Sequence, residues 1–495
     1  MHSLRRTILL MLAVLLLTAA TNAAAPADVL PPVPVADAAP VRVLVAAEGK
    51  GYLETVDGYP VLHLKGTPEE MGLQHGRLLA RHVKDNVDFL LRDRPDDPVK
   101  IGGQNVSRLV LAALLVDVFK DLVPERFMQE MRALGQGAGI APERIIACNL
   151  ISEAFHCSGF ALLKKTTACG RLLHGRVLDY GTAMRLQDHA VLIIQEPDGR
   201  IPFVNVSYAG FIGSVTGMNT EQISIGEMGG RGEGQWQGVP MSLLVRMVLE
   251  DARTLDQAVA VFKQNRRTCE YYYVIADARA DAAVGMRAVP EAVELVQPGQ
   301  AHPLLPTPVD DTVLLSAGER YGHLVERVRA DLGRFTPEAA VRLMDAPVAM
   351  KSNLHNALMI PADGVLYVAN ARADADPAWK QKYYRFDIRR LMAERPSFPS
   401  GASCVPKTPS GVCCGSDGCQ RVLSATTSWP IRGPRLPAAH AHVWTQASRA
   451  REMTWSRAGH VEQGGLDVAV PVTGEKQVRT IVAVKSIADK RRKCL

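Results

Sequence analysis

The feature that most constrains this chain is a change of hydrophobic period at Cys157. Before it, apolar residues recur at the three-to-four spacing of amphipathic helices; after it, short apolar runs are separated by Gly, Asp and Asn turns. Helices are expected over about 67–91, 105–122, 124–136 and 141–153, with one weak strand at 61–64. The first helix has a clear start signal. Thr67 suits the N-cap, Pro68 the first helical position, and Glu70 completes a capping box. Beyond Cys157, strands are expected over 160–163, 172–177, 190–195, 203–208, 213–216 and 223–225, then helices over 241–251 and 255–262. Strands at 271–276, 284–288 and 293–296, helices at 320–332 and 337–343, and a hairpin of 357–360 with 365–369 complete the pattern. That order argues for an α+β fold with layered sheets rather than a regular βαβ alternation.

The flanks read differently. Residues 1–25 carry two early arginines, an apolar run at 8–17 and a small-residue end, the pattern of a secretory signal peptide. The expected location is therefore exported, periplasmic or secreted. Residues 26–54 read as a flexible lead-in, 55–156 as a helical N-terminal segment and 157–399 as the catalytic sheet segment. Residues 400–495 read as a poorly ordered, Cys/Pro/Gly-rich basic extension. They carry 14 Lys/Arg against 6 Asp/Glu, whereas the first 399 residues carry 43 against 45. The basic character belongs to the tail, so the main body gives no reason to expect nucleic acid as a partner. Cys148, Cys157, Cys169 and Cys269 lack the paired spacing of a zinc site, and no cofactor or metal is expected in the body. The cluster Cys404, Cys413, Cys414 and Cys419 is open to a disulfide knot, to zinc or to chance composition.

Cysteine is a strong nucleophile only as its thiolate, so a reactive one needs a base or an electropositive neighbour. Cys157 lies at the helix-to-strand switch, in Phe155-His156-Cys157-Ser158-Gly159-Phe160. A buried structural cysteine fits the same place. Arg176 and Asp179 follow, three residues apart at a strand end. An arginine can lower a nearby thiol pKa and orient an acyl oxygen, and an aspartate can hold an ammonium; a surface ion pair is the plainer alternative. The glycine-rich run 226–234 lacks the nucleotide-binding spacing and reads as a loop over a pocket. His75 lies within the first helix, where packing is the simpler role. Asn353, Leu354, His355 and Asn356 fit either a pocket or a turn.

Four motifs occur in order: Gly66-Thr67-Pro68-Glu69-Glu70-Met71-Gly72-Leu73-Gln74-His75-Gly76, Cys157-Ser158-Gly159-Phe160-Ala161, Gly175-Arg176-Val177-Leu178-Asp179 and Gly217-Met218-Asn219. Together they resemble the autoproteolytic acyltransferases and hydrolases typified by isopenicillin-N acyltransferase. These are cysteine N-terminal-nucleophile (Ntn) hydrolases, alongside bile-salt hydrolases and acid ceramidase. The resemblance covers about residues 55–390 and implies the Ntn-hydrolase four-layer αββα sandwich. It implies self-cleavage between His156 and Cys157, which leaves a thiol and a new α-amine on one residue. It implies that Cys157 attacks an amide carbonyl through a thioester, that Arg176 contacts substrate or tunes the sulfur, and that Asp179 holds the amine.

The late positions Ser316 and Arg320 resemble the oxyanion-hole and late-arginine positions of the bile-salt branch, although that branch has Asn where Ser316 stands. Asn219, Glu227 and Asn353 are expected to contact substrate. The implied reaction is hydrolysis or transfer at a linear amide bond of a small-molecule N-acyl substrate. No cofactor is implied, nor stable membrane insertion, and the two pieces are expected to stay associated. The same fold acting on lipid or ester acyl groups, as phospholipase-B-like relatives do, and a catalytically silent secreted binding protein are the alternatives.

Overall fold

Ala190–Pro197 reads AVLIIQEP, a run with no polar face, so it has to be covered on both sides. In the computed structural model, which describes residues 40–397 except 96–98, 102–103, 151–155 and 231–234, this run is an inner strand of a large sheet. Its side chains alternate. Val191 and Ile193 face helices, whereas Leu192 and Ile194 face a second sheet.

Numbered along the chain, the strands are β1 (Arg42–Glu48), β2 (Gly51–Val56), β3 (Tyr59–Gly66), β4 (Val99–Ile101), β5 (Gln104–Val106), β6 (His156–Leu162), β7 (Leu173–Asp179), β8 (Ala190–Pro197), β9 (Phe203–Tyr208), β10 (Thr216–Asn219), β11 (Ile223–Gly229), β12 (Tyr271–Asp277), β13 (Ala282–Ala288), β14 (Val293–Val296), β15 (Thr312–Leu315), β16 (His355–Ile360), β17 (Val365–Asn370) and β18 (Tyr384–Asp387). The large sheet runs β1-β2-β3-β8-β9-β10-β11-β12-β13-β14 and the smaller one β15-β6-β7-β16-β17-β18; β4 and β5 form a separate hairpin. The β3–β8 pair is parallel. Three strands from before Cys157 are thereby fused to seven from after it.

The helices are α1 (Pro68–Leu78), α2 (Ala80–Leu91), α3 (Arg108–Phe119), α4 (Glu125–Ala138), α5 (Pro142–Leu150), α6 (Met241–Asp251), α7 (Leu255–Gln264), α8 (Glu319–Ala330), α9 (Pro337–Arg342) and α10 (Ile388–Ala393). Helix α1 packs on β1–β3, α6 on β10 and β11, and α7 on β12 and β13. On the smaller sheet, α8 packs on β15 and α9 on β7 and β16, while β6 and β7 lie against β11. The order is helices, sheet, sheet, helices: the four-layer αββα sandwich expected. Helices α1 and α4 approach closely because Gly72 and Gly76 have no side chain; a Cβ there would strike the Glu130 and Leu134 carbonyls.

Several expectations shift. The lead-in expected through residue 54 already contains β1 and most of β2, because Leu44, Tyr52 and Leu53 bury side chains. The helix expected over 67–91 is interrupted at Leu79, giving α1 and α2. The strand expected at 213–216 forms later, at β10. Gly226–Gly229, expected in a loop, belongs to β11. The signal segment 1–25 and the extension 400–495 lie outside the described residues. Among those described, no helix is long and apolar enough to cross a membrane, and no disulfide joins the cysteines.

Candidate active site

Cross-strand register gathers the site. Cys157 on β6 pairs with Leu178 on β7, and Leu178 pairs with His355 on β16. Period-two alternation then puts Cys157, Arg176, Leu178 and His355 on one face of the smaller sheet, the face that meets the larger one. A Cβ on Gly159, two residues after Cys157, would lie 2.7 Å from the Met228 sulfur of β11, which marks how closely the sheets approach there.

Cys157 is buried, and burial pushes its thiol up to about 11. The Arg176 charge opposes that shift and the Glu227 and Asp179 charges reinforce it, while a backbone hydrogen bond with Asp179 lowers it. A thiol held there carries little thiolate at neutral pH. Arg176 is fully buried, and its Nη2 donates to Glu227 Oε2 at 3.3 Å. Its Nε and Nη1 have no acceptor among the described residues. The arginine stem crosses Gly226 of β11, where a Cβ would come within 3.1 Å of Cδ. A glycine in the facing strand thus makes room for a charged side chain between two sheets.

Asp179 ends β7 and pairs with His156, directly before Cys157. Its carboxylate accepts from Arg320 Nη1 at 2.6 Å and from the Met350 backbone N–H at 3.0 Å. Burial nevertheless raises its carboxyl above the ordinary aspartate range, with Arg320 and the Met350 N–H pulling the other way. Arg320 reaches in from the first turn of α8. Ser316 follows β15, which pairs with β6, and its hydroxyl bonds the Ser158 hydroxyl at 2.7 Å. Ser158 follows Cys157 in the strand and points to the opposite face, so Ser316, bonded to Ser158, lies on the helix-facing side of the sheet.

Two expected substrate contacts are instead structural. The Asn219 amide donates to the carbonyls of Leu249 and Ala252, and its oxygen accepts from Ile223, tying β10 and β11 to the end of α6. Asn353 is fully buried. Its amide is spent on the Leu178 and His355 carbonyls and on Asn356, and its oxygen accepts from Trp379 N–H. His75 packs as expected: its Nε2 accepts from Gly210 N–H at 3.0 Å, and burial pushes it down to about 3, so it is neutral.

A small cleft opens beside this cluster, bordered by Leu178, Leu186, Val206, Tyr208, Phe211, Val215 and Met241, with Glu227, Ser207 and Ser242 as polar points. Cys157 is not on its wall; its strand partner Leu178 is. An apolar cleft with few polar groups suits a hydrophobic chain carrying one polar function. Tyr208, on its border, forms a buried hydrogen-bonded set with His355 and Thr216. Of these only His355 stood out in the sequence, without an assigned role. No group of three or more His, Cys, Asp or Glu suited to a metal occurs among the described residues.

Residues 168–301 match the family of acyl-coenzyme A:6-aminopenicillanic acid acyl-transferases, a span that holds Arg176, Asp179, Tyr208 and Glu227 but starts after Cys157. Among curated proteins, protein dcd1B of Dictyostelium discoideum is 23% identical over 74% of this chain and 82% of its own length. The N-acylethanolamine-hydrolyzing acid amidase of Mus musculus is 25% identical over 47% of this chain and 65% of its own length, just under two thirds. Of solved structures, a Caenorhabditis elegans ortholog of that amidase has a TM-score of 0.35 at 16% identity, covering 46% of this chain and all of its own. That score is too low to bear on the fold, which rests on the layers described above. The segment from 168 to 301, with the arginine and aspartate that border the thiol, is similar to the acyl-coenzyme A:6-aminopenicillanic acid acyl-transferases.

Proposed function

We propose that this chain is an exported, self-processing cysteine Ntn hydrolase that acts on linear amides carrying an apolar acyl chain. The observation that carries this reading is one buried group of residues: the Cys157 thiol with Arg176, Glu227 and the Asp179–Arg320 pair around it. The described relatives with a stated activity supply amide chemistry as the reaction class.

In the continuous chain the Cys157 nitrogen is an amide and cannot act as a base. Attack of its sulfur on the His156 carbonyl carbon forms a thioester and breaks the peptide bond. The thiol proton ends on the departing nitrogen, which becomes the α-amine. Water then cleaves the thioester, leaving a His156 carboxylate and a free thiol. The new amine has a pKa of about 7.7–8.0 in the unperturbed case, so it can take the thiol proton near neutral pH. It emerges where the strand register supports a place for it, next to Asp179, whose charge would hold the ammonium.

In turnover, the sulfur adds to the substrate carbonyl while the α-amine takes its proton. The free Nε–H and Nη1–H of Arg176 point to a partner for the developing oxyanion. Collapse expels the leaving amine, which takes the proton from the ammonium. Water, or a second amine, then accepts the acyl group from the thioester. The two pieces would stay together through the β3–β8 pairing and the buried Arg246–Glu130 pair. Export through residues 1–25 is part of the same reading.

Intact mass and N-terminal sequencing of purified wild type and Cys157→Ala test it. Wild type should yield two fragments, the second starting at Cys157; Cys157→Ala should stay whole and inactive. Active wild type that is continuous through residues 156 and 157 overturns the amine-as-base mechanism.

A further inference from the structure

An amide and an ester of the same acid present the same carbonyl to a nucleophile. They differ in one respect that a binding site can read: a secondary amide carries an N–H donor, and an ester has only an acceptor there. One residue bordering the cleft carries a hydroxyl whose polarity is set by its buried partners. This is Tyr208, at the end of β9. The Tyr208 hydroxyl bonds His355 Nδ1 at 2.9 Å, and His355 Nε2 bonds the Thr216 hydroxyl at 2.9 Å. All three side chains are buried, His355 and Thr216 completely. They come from β9, β16 and β10, so the set bridges the two sheets.

His355 cannot be charged here. Burial and the nearby Arg176 hold its pKa well below the ordinary histidine range. The neutral ring has one donor and one acceptor nitrogen, and its two hydroxyl partners decide which is which. A phenol is a better donor and a poorer acceptor than an aliphatic alcohol. The stronger arrangement therefore has Tyr208 donating to Nδ1 and Nε2–H donating to Thr216. The Tyr208 proton is then committed to His355, and the phenol oxygen has only lone pairs left for any other partner.

Position matters as much as polarity. His355 stands in the same cross-strand row as Leu178 and Cys157, two strands away, or roughly 10 Å between backbones. Tyr208 and Leu178 both border the cleft. Tyr208 thus borders the cleft while its hydroxyl bonds His355, in the row that carries Cys157. We propose that Tyr208, fixed by His355 and Thr216, is a specificity-determining acceptor that binds the N–H of a secondary amide and so selects amides over esters. This rests on the Cys157 reading and adds to it a substrate-binding residue outside the Cys, Arg and Asp motifs.

The test uses two fluorogenic probes with one acyl chain, dodecanoyl aminomethylcoumarin (amide) and dodecanoyl hydroxymethylcoumarin (ester). The readout is the ratio of their kcat/KM values, with a melting curve on each variant. Tyr208→Phe should lower the amide-to-ester ratio by at least ~10-fold, the scale of one lost hydrogen bond in a binding site. Thr216→Val removes the acceptor for Nε2–H and lets the ring adopt the other tautomer. The Tyr208 proton is then released from His355, and the ratio should fall in the same direction. An unchanged ratio in both variants, or a wild type inert on the amide, overturns the proposal. An equal loss on both probes assigns the set a structural role and also overturns it. Cys157→Ala separates the two readings: turnover surviving in that variant removes the nucleophile assignment, whatever the Tyr208 ratio shows.

Discussion

Arg246 on α6 and Glu130 on α4 are each about 1% exposed, and they meet in a two-pronged pair at 2.9 and 2.6 Å. Arg246 also donates to Glu250 at 2.8 Å and to the Ile212 carbonyl at 2.9 Å. Burial holds the Glu130 carboxyl above its ordinary range, while Glu130 and Glu250 hold the Arg246 guanidinium above its own, so each buried charge depends on its partner. That dependence makes an unequal prediction. Glu130→Leu strands a buried cation with only Glu250 to offset it and should cost about 3–5 kcal/mol. In a body of this size that is a fall in melting temperature of roughly 4–7 °C. Glu130→Leu with Arg246→Met removes both charges, leaves Glu250 its contact with Arg126 at 3.2 Å, and should recover to within about 2 kcal/mol of wild type. Calorimetry on the two single variants and the double closes the cycle. A double variant as destabilised as the two singles added together would refute the argument, because zero coupling means that neither charge depends on the other.

Two other perturbations follow from the geometry. Gly226→Val forces a side chain against the Arg176 stem and should reduce amide turnover by about 10-fold or more while costing only about 1–3 kcal/mol of stability, read by kinetics and thermal melts on the same samples; full activity would mean that the guanidinium position is unimportant. Asp345, 15% exposed at the side chain, is raised to about 6 by burial, with Arg342 opposing. Its folded pKa lies above the unfolded one, so its favourable contribution is complete below about 3.9 and is lost as pH rises through about 6. Asp345→Asn should therefore be more stable than wild type at pH 8 by up to ~3 kcal/mol and equal to it at pH 4. A difference that does not vary with pH contradicts that assignment.

What could be read from the sequence was what is encoded locally. Thr67 and Glu70 form the reciprocal capping box expected, at 3.2 and 2.8 Å, because both partners lie within one turn. The strand at 203–208 and the helix at 241–251 fall at the expected residues, since each has a full apolar face bounded by clear breakers. Arg176 and Asp179 were legible because they share a strand with a short motif. Tyr208, Thr216 and His355 were not, because they meet only through the register of three strands in two sheets, and no spacing along the chain encodes that. Asn219 misled for the converse reason. Its motif is recognisable, but its amide is consumed by the carbonyls at the end of a helix that lies 30 residues downstream. β1 and β2 were missed because their cover comes from distant parts of the chain, including the Arg42 bond to the Glu394 carbonyl.

The large sheet draws β1, β2 and β3 from one side of Cys157 and its other seven strands from the far side. Before a cut, melting and recovery are events within one molecule, and dilution does not alter them. After a cut, every refolding would require two separate chains to find each other. The midpoint of unfolding would then drift downward on dilution, and a sample heated at nanomolar concentration would lose its activity for good where a concentrated one regains it. A polypeptide that begins life as a self-contained folding problem would thus end it as a dimer of its own halves.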